Sequence, residues 1–293
     1  MTTCFSSVVF FGADTIDGGA GVDTLEMGFY GGESFTINLS ATGLQNTGAW
    51  GSYQLSGIEN VSTADGNDLL IGSSESNKLV AGSGLDTLEG GLGNDVLDGA
   101  FGFDFARFTG STGAKVNLAN TAAQATGYGT DTFISIEGLI GGAGADNFTG
   151  DLNGNDMFAN AGKDTLSGGA GADYLSGGLG NDRLTGGADS DFFYFDAKLN
   201  AKTNVDTITD FSRVDDSFQL ENAIFKKLTK TGVMSKSFFV VGTKAKDKND
   251  YIVYDKATGA LSYDADGSGK GAAVKFAQVT KGTVLGYNDF LII

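Results

Sequence analysis

The sequence predicts an all-β protein built from stacked nine-residue turns, and three observations carry that expectation. From Gly141 to Tyr194 the chain runs GGAGADNFT, GDLNGNDMF, ANAGKDTLS, GGAGADYLS, GGLGNDRLT, GGADSDFFY, one unit every nine residues. The sixth place of each unit holds a carboxylate or carboxamide, at Asp146, Asn155, Asp164, Asp173, Asp182 and Asp191, with an apolar residue two places later. A second array from Thr63 to Arg107 repeats the pattern at Asp68, Asn77, Asp86, Asp95 and Asp104, and a remnant near the start keeps Asp14 and Asp23, with GGAGVDTLE as an intact copy.

Each unit divides into a loop half and a strand half. Glycine reaches positive φ without a steric penalty, so Gly82 and Gly84, Gly91 and Gly93, Gly142 and Gly144, Gly162, Gly169 and Gly171, and Gly178 and Gly180 are expected to form tight turns with inward carbonyls. The aspartate after each turn adds an anionic oxygen to the same concave site. The rest of the unit alternates apolar and polar, which places Leu166, Leu175 and Leu184 on one face of very short strands. No single unit could bury its leucine alone, hence the arrays.

Oxygen-rich, flexible loops suit calcium, which takes six to eight oxygens. Ca2+ is therefore the expected cofactor, with the sixth-place residues and the turn glycines named above as the candidate metal site. The other reading of a chain with 47 glycines in 293 residues is a flexible linker. A linker, however, has no reason to keep an apolar residue two places after each aspartate. Without calcium the stacked carboxylates repel, and a disordered chain is then the expected state.

The pattern GGxGxDxUx, repeated at thirteen sixth-place positions of which eleven are aspartate, resembles the RTX (repeats-in-toxin, hemolysin-type calcium-binding) family of type I secretion substrates. The resemblance implies a parallel β-roll in which two nonapeptides make one turn and calcium sits between successive Gly/Asp loops. It also implies a secreted, extracellular protein whose export signal lies at the C-terminus and whose partner in export is a type I secretion exporter.

The arrays set the expected organisation: 1–33 degenerate N-terminal repeats, 34–62 a β-hairpin segment, 63–107 a first β-roll, 108–140 a second β-hairpin segment, 141–194 a second β-roll, and 195–293 a β-rich C-terminal cap carrying the secretion signal. The two interruptions look alike, each with an Asn-Leu strand, a polar loop and a strand ending in Ile-Glu, at Ile58-Glu59 and Ile136-Glu137. Their aromatics Trp50, Tyr53 and Tyr128 either form a ligand surface or, the favoured reading, cap the open edge of a roll where an unpaired strand would invite aggregation.

Beyond Phe195, alternating apolar positions and turn signals predict a β cap. The run YDKATGALSYDADGSG at Tyr254–Gly269 and Asp210-Phe211 resemble the region that follows the repeats in RTX proteins, with Phe218 where isoleucine is expected. Asp264-Ala265-Asp266-Gly267 starts like an EF-hand loop, but Lys275 stands where its glutamate should be, so a tight turn is expected.

Composition narrows the function. With 19 basic and 36 acidic residues the formal charge is −17, which argues against nucleic acid and anionic lipid as partners. The lone Cys4 permits no internal disulfide. Val8–Phe11 is too short for a signal-peptide core or a membrane span, which by itself would suggest a cytoplasmic protein; the RTX resemblance implies instead export without an N-terminal signal peptide. With no histidine, the chain can build no Ser-His-Asp triad, Cys-His pair or HExxH site, and a non-enzyme is expected. The function read from the sequence is a secreted calcium-binding protein whose roll folds on extracellular calcium. The alternative is the non-catalytic calcium-binding and secretion part of a larger exported enzyme, adhesin or toxin. No motif names a further extracellular ligand.

Overall fold

Very short strands dominate because each repeat offers only three extended residues between glycine loops, and only the middle one points inward. Thr87–Glu89 is typical: Leu88 is wholly buried and its neighbours are half-exposed. The computed structural model describes residues 4–6, 12–27, 32–48 and 51–293. Trp50 and Val8–Phe11 lie outside them. The chain is all-β; among the described residues the helical segments are the 3-10 turns Lys236–Phe238 and Tyr287–Asp289.

The chain divides into two units, Met1–Thr109 with Ala114–Ile140, and Gly110–Gly113 with Gly141–Ile293. In the first unit, strands pair in parallel with strands eighteen residues away, Leu69 with Thr87 and Thr87 with Phe105 on one side, Lys78 with Val96 on the other. Eighteen residues are two nonapeptides, so each turn of the roll contributes one rung to each of two parallel sheets. Ile37, Leu70, Leu88, Ala106 and Leu139 line one wall of a narrow core, and Leu25, Val61, Leu79, Leu97 and Phe133 the other.

The interrupting segments supply rungs as well as hairpins. Thr36–Asn38 pairs in parallel with Leu69–Ile71, and Asn60–Ser62 with Lys78–Val80, while Gln45–Asn46 runs antiparallel to Gly51–Ser56 and Phe35 bridges Gly48 antiparallel. In the second interruption, Thr130–Ile134 pairs in parallel with Val96–Asp98 and Gly138–Ile140 with Phe105–Arg107, and Gln124–Ala125 forms the antiparallel part. Both segments leave the roll through a polar loop; the first re-enters it just after Ile58-Glu59, the second already at Thr130–Ile134, ahead of Ile136-Glu137. Tyr53 is buried in this packing, at 1% exposure, so it offers no ligand surface.

The second unit repeats the architecture with Asn147–Thr149, Thr165–Ala170 and Arg183–Ala188 in one parallel sheet and Asp156–Phe158, Tyr174–Ser176 and Phe192–Phe195 in the other. Beyond the repeats, Asp206–Ile208, Ser217–Leu220 and Phe290–Ile292 add further parallel rungs. The antiparallel strands Val274–Gln278, Ala260–Tyr263 and Ile252–Asp255 extend one sheet, whose edge is the parallel strand Phe239–Val241. Phe218 stacks between Phe211 and Phe290, with centroids 4.5 and 4.9 Å away. A planar ring fits that stack, which accounts for phenylalanine at a place where isoleucine was expected.

Candidate metal centre

Stacking the loops lines their sixth-place side chains into four ladders. In the first unit, Oδ1 of Asp86 accepts the backbone N–H of Asp68 at 2.7 Å, Oδ1 of Asp104 accepts that of Asp86 at 2.9 Å, and Asp95 accepts from Asn77 at 2.8 Å. In the second, Asp164 accepts from Asp146 and Asp182 from Asp164, while Asp173 accepts from Asn155 and Asp191 from Asp173, at 2.7 to 3.1 Å. Each carboxylate thus caps the amide of the equivalent residue one full turn earlier.

The second oxygen is the informative one. Among the described residues, Oδ2 of Asp68, Asp86, Asp95, Asp104, Asp164, Asp173, Asp182 and Asp191 is buried and has no hydrogen-bond partner. An unpaired buried carboxylate oxygen is costly, and a bound proton or cation would compensate it. The ion pairs Arg107 with Glu89 and Arg213 with Asp289 involve no ladder carboxylate.

Burial raises these carboxyl groups well above the usual 3.8. Desolvation is the largest cause throughout, and nearby carboxylates add to it, ladder members for most and Asp151, Asp156 and Asp189 for Asp173. Asp68, Asp86, Asp95 and Asp104 rise to about 6, and Asp164, Asp173 and Asp191 to about 7. Asp182 and Asp206 face each other, and both are pushed up by burial.

The glycines make the loops fit. Gly84 (φ 154°) and Gly169 (φ 115°) adopt backbone that other residues rarely reach, and a β-carbon on either would strike the carbonyl oxygen of the loop one turn earlier, Gly66 or Asp151. The structure also assigns a role to the first glycine of each unit, absent from the sequence-based set. A β-carbon on Gly90 or Gly168 would run into Oδ2 of Asp95 or Asp173, the unpartnered oxygen itself. Both the shape and the donor chemistry therefore fit a hard cation. Among the described residues no three acidic side chains converge on one point, so main-chain carbonyls would have to supply most of its shell.

The amide positions behave differently. Asn77 Oδ1 accepts the N–H of Ser73 at 2.7 Å and its Nδ2 donates to the carbonyl of Glu59 at 2.7 Å; Asn155 Oδ1 accepts from Asp151 at 2.8 Å. Asp146 Oδ2 likewise takes the N–H of Gly142. Asp23 is fully buried and its N–H donates to Glu59. Asp14 is not brought to a ladder: it sits half-exposed within the extended strand Gly12–Asp17, opposite Tyr53.

Five ladder members escaped the sequence reading. Asp131 accepts from Asp95, Glu137 from Asp104, Asp206 from Asp182, Asp216 from Asp191 and Glu59 from Asp23. Their partners lie 24 to 36 residues away instead of eighteen; Glu59 and Asp131 stay on a multiple of nine, whereas Glu137, Asp206 and Asp216 fall off it. The acid-x-apolar trio survives in all five, as Asp131-Thr-Phe133, Asp206-Thr-Ile208, Asp216-Ser-Phe218, Glu59-Asn-Val61 and Glu137-Gly-Leu139. Asp210 of the Asp-Phe pair accepts the N–H groups of Gly186 and Gly187 and so closes the last glycine loop.

A family model for the RTX calcium-binding nonapeptide repeat, in four copies, matches residues 11–28, 55–84, 71–106 and 158–193. No curated protein sequence matches the chain. Among solved structures, the extracellular lipase LipA from Serratia marcescens aligns with 83% of this chain and 44% of its own, at 17% identity and a TM-score of 0.27. The chain thus spans under half of that lipase's length, and a likeness this loose carries no argument about activity. The matched residues, little more than a third of the chain, contain glycine loops whose carboxylates stand in the ladders, and over them the chain carries the RTX calcium-binding nonapeptide repeat.

Proposed function

We propose that this chain is a calcium-dependent folding module of a secreted protein, and the observation that carries the reading is the set of eight buried carboxylate oxygens without partners. Calcium, when bound, supplies the positive charge and the oxygen-coordinating capacity these loops lack. The ladder aspartates and the loop carbonyls would hold it. At low calcium the same aspartates repel across successive turns and oppose closure, which keeps the chain extended enough for export. At roughly 10⁻⁴–10⁻³ M calcium, the affinity range of extracellular modules, the ladders close and the leucine seam is buried. Export through a type I secretion exporter, with its signal in 195–293, is part of this reading. No helix among the described residues is long and apolar enough to cross a membrane.

Expression beside a cognate type I exporter tests the proposal. The intact chain should reach the medium without losing an N-terminal peptide and should resist protease there only while calcium is present. Secretion of a chain truncated after Phe195, or protease resistance that ignores a chelator, would overturn it.

A further inference from the structure

The outer faces of the second unit's two parallel sheets are not alike. On Asn147–Thr149, Thr165–Ala170 and Arg183–Ala188 the outward positions hold Asn147, Thr149, Thr165, Ser167, Arg183 and Thr185, the polar residues expected where a strand meets water. The other sheet turns rings outward. Phe158, Tyr174, Phe192 and Tyr194 stand half-exposed on three successive rungs, and the ring centroid of Tyr174 lies 5.8, 6.3 and 5.3 Å from those of the other three. The Tyr174 hydroxyl donates to Gln219 at 2.9 Å and the Tyr194 hydroxyl to Glu221 at 3.3 Å, which holds the row in place.

This face is anionic as well as aromatic. Burial first, and then the charges of Asp196 and Glu221, push the Tyr194 phenol up to about 12, and burial with the charges of Asp196, Asp156 and Glu221 also raises that of Tyr174. Among the described residues, none of these three carboxylates pairs with a lysine or arginine. The complement lies in the cap. Residues 1–194 hold five basic and 24 acidic side chains, whereas 195–293 hold fourteen and twelve. Residues 222–246 alone carry six lysines and no acid, and all six lysines are exposed. Lys226, Lys227 and Lys230 project from a pinned turn: Phe225 and Leu228 beside them are wholly buried, Phe225 packs on Tyr263 and Phe276 at 5.2 and 5.1 Å, and the Lys227 N–H donates to the Tyr263 hydroxyl at 2.8 Å. Among the described residues these lysines form no ion pair.

We propose that the aromatic face formed by Phe158, Tyr174, Phe192 and Tyr194 in one copy docks the lysine turn 226–230 of a second copy. A lysine suits both characters of the face, since its methylene stem lies along ring carbons while its ammonium meets the π faces and the carboxylates around them. Opposite charge on the two surfaces steers the encounter and fixes its register. The surfaces differ, so the contact is heterologous. Each copy offers one face and one turn, and association therefore propagates from copy to copy. Neither surface contains a ladder residue, which sets this contact apart from calcium binding.

Sedimentation velocity of the whole chain in excess calcium, with circular dichroism checking the fold of every variant, tests this. The wild-type chain should associate more as its concentration rises, and raising sodium chloride from about 0.05 to about 0.5 M should weaken association about tenfold by screening the exposed charges. Asp156→Lys with Asp196→Lys spoils the face, and Lys226→Glu with Lys227→Glu and Lys230→Glu spoils the turn. Each of these variants alone should stay monomeric. An equal mixture of the two should form dimers and stop there, because one intact face and one intact turn remain between them. Phe192→Thr keeps every charge and should weaken association about fivefold through the lost ring. A wild-type chain that is monomeric throughout, assembly unchanged in any variant, or a mixture that stays monomeric would overturn the proposal. Should a variant fail to fold, the wild-type chain decides: assembly indifferent to salt refutes the docking.

Discussion

Replacing Asp173 separates the two jobs that the ladder assigns to one side chain. Its Oδ1 accepts the buried N–H of Asn155 at 2.8 Å, and its Oδ2 is buried without a partner. Asp173→Ala removes both oxygens. The orphaned Asn155 amide then costs about 1–3 kcal/mol even with calcium in excess. Asp173→Asn keeps an acceptor for that amide and loses only the charge. A neutral in place of a charge-assisted contact is worth on the order of 1 kcal/mol, or about fivefold in a single-site binding constant. Calcium titrations followed by circular dichroism, with urea melts at saturating calcium, distinguish the two. The Asn variant should show a raised calcium midpoint and a nearly normal melt; the Ala variant should be impaired in both. Asp215→Ala is the control, since Asp215 lies outside the ladders, exposed, taking a hydrogen bond from Ser212. Midpoints for both Asp173 variants equal to that of the control would refute the assignment of Oδ2 as a calcium ligand.

Other consequences follow from the same geometry. Gly168→Ala changes no ligand, yet its β-carbon would collide with Asp173 Oδ2 and the Gly186 carbonyl, so a loss of about 1–3 kcal/mol is expected by urea melt, while Gly43→Ala, with open space around it, should stay within about 0.5 kcal/mol. Carboxyl groups raised to about 6 or 7 in the calcium-free roll, against 3.8 ordinarily, bind protons more tightly folded than unfolded. Calcium-free stability should therefore be greatest below pH 3.8 on this account and be lost as pH rises through 6 to 7, and the calcium midpoint should rise as pH falls through that window; pH-independent midpoints between 5 and 8 would contradict it. Phe290→Ala removes a fully buried ring stacked on Phe218 and should cost about 3–5 kcal/mol, lowering the melting temperature by roughly 10 °C in calcium, and a shift under about 2 °C would show that the terminal strand is not integral to the cap.

Much of this was legible in the sequence, for a physical reason. A roll repeats its geometry every eighteen residues, so Asp86 and Asp104, or Asp164 and Asp182, occupy equivalent places by arithmetic alone. Arithmetic fails where the chain leaves the roll and returns. Asp206 and Asp216 keep the local acid-x-apolar chemistry but sit at spacings set by loop length, which the repeat does not encode, while Asp131 keeps a multiple of nine but lies beyond the end of the unbroken array. Glu59 and Glu137 fill ladder places with a longer side chain, and the shared Ile-Glu dipeptide was visible without its role being so. Asp14 shows the converse: correct spacing, but a strand instead of a glycine loop around it. The first-place glycines were hidden because their requirement comes from Asp95 and Asp173 oxygens packing against them, a contact that exists only once the loop is folded.

The central claim is that the aspartate ladders require calcium to close, and a far-ultraviolet circular dichroism titration of the chelated chain tests it most directly. The account predicts a largely disordered spectrum in chelator and cooperative recovery of β structure as calcium reaches roughly 10⁻⁴–10⁻³ M. Equal magnesium should not restore it, because its strict octahedral shell suits these loops poorly. A β-rich spectrum that persists unchanged in chelator would contradict the account.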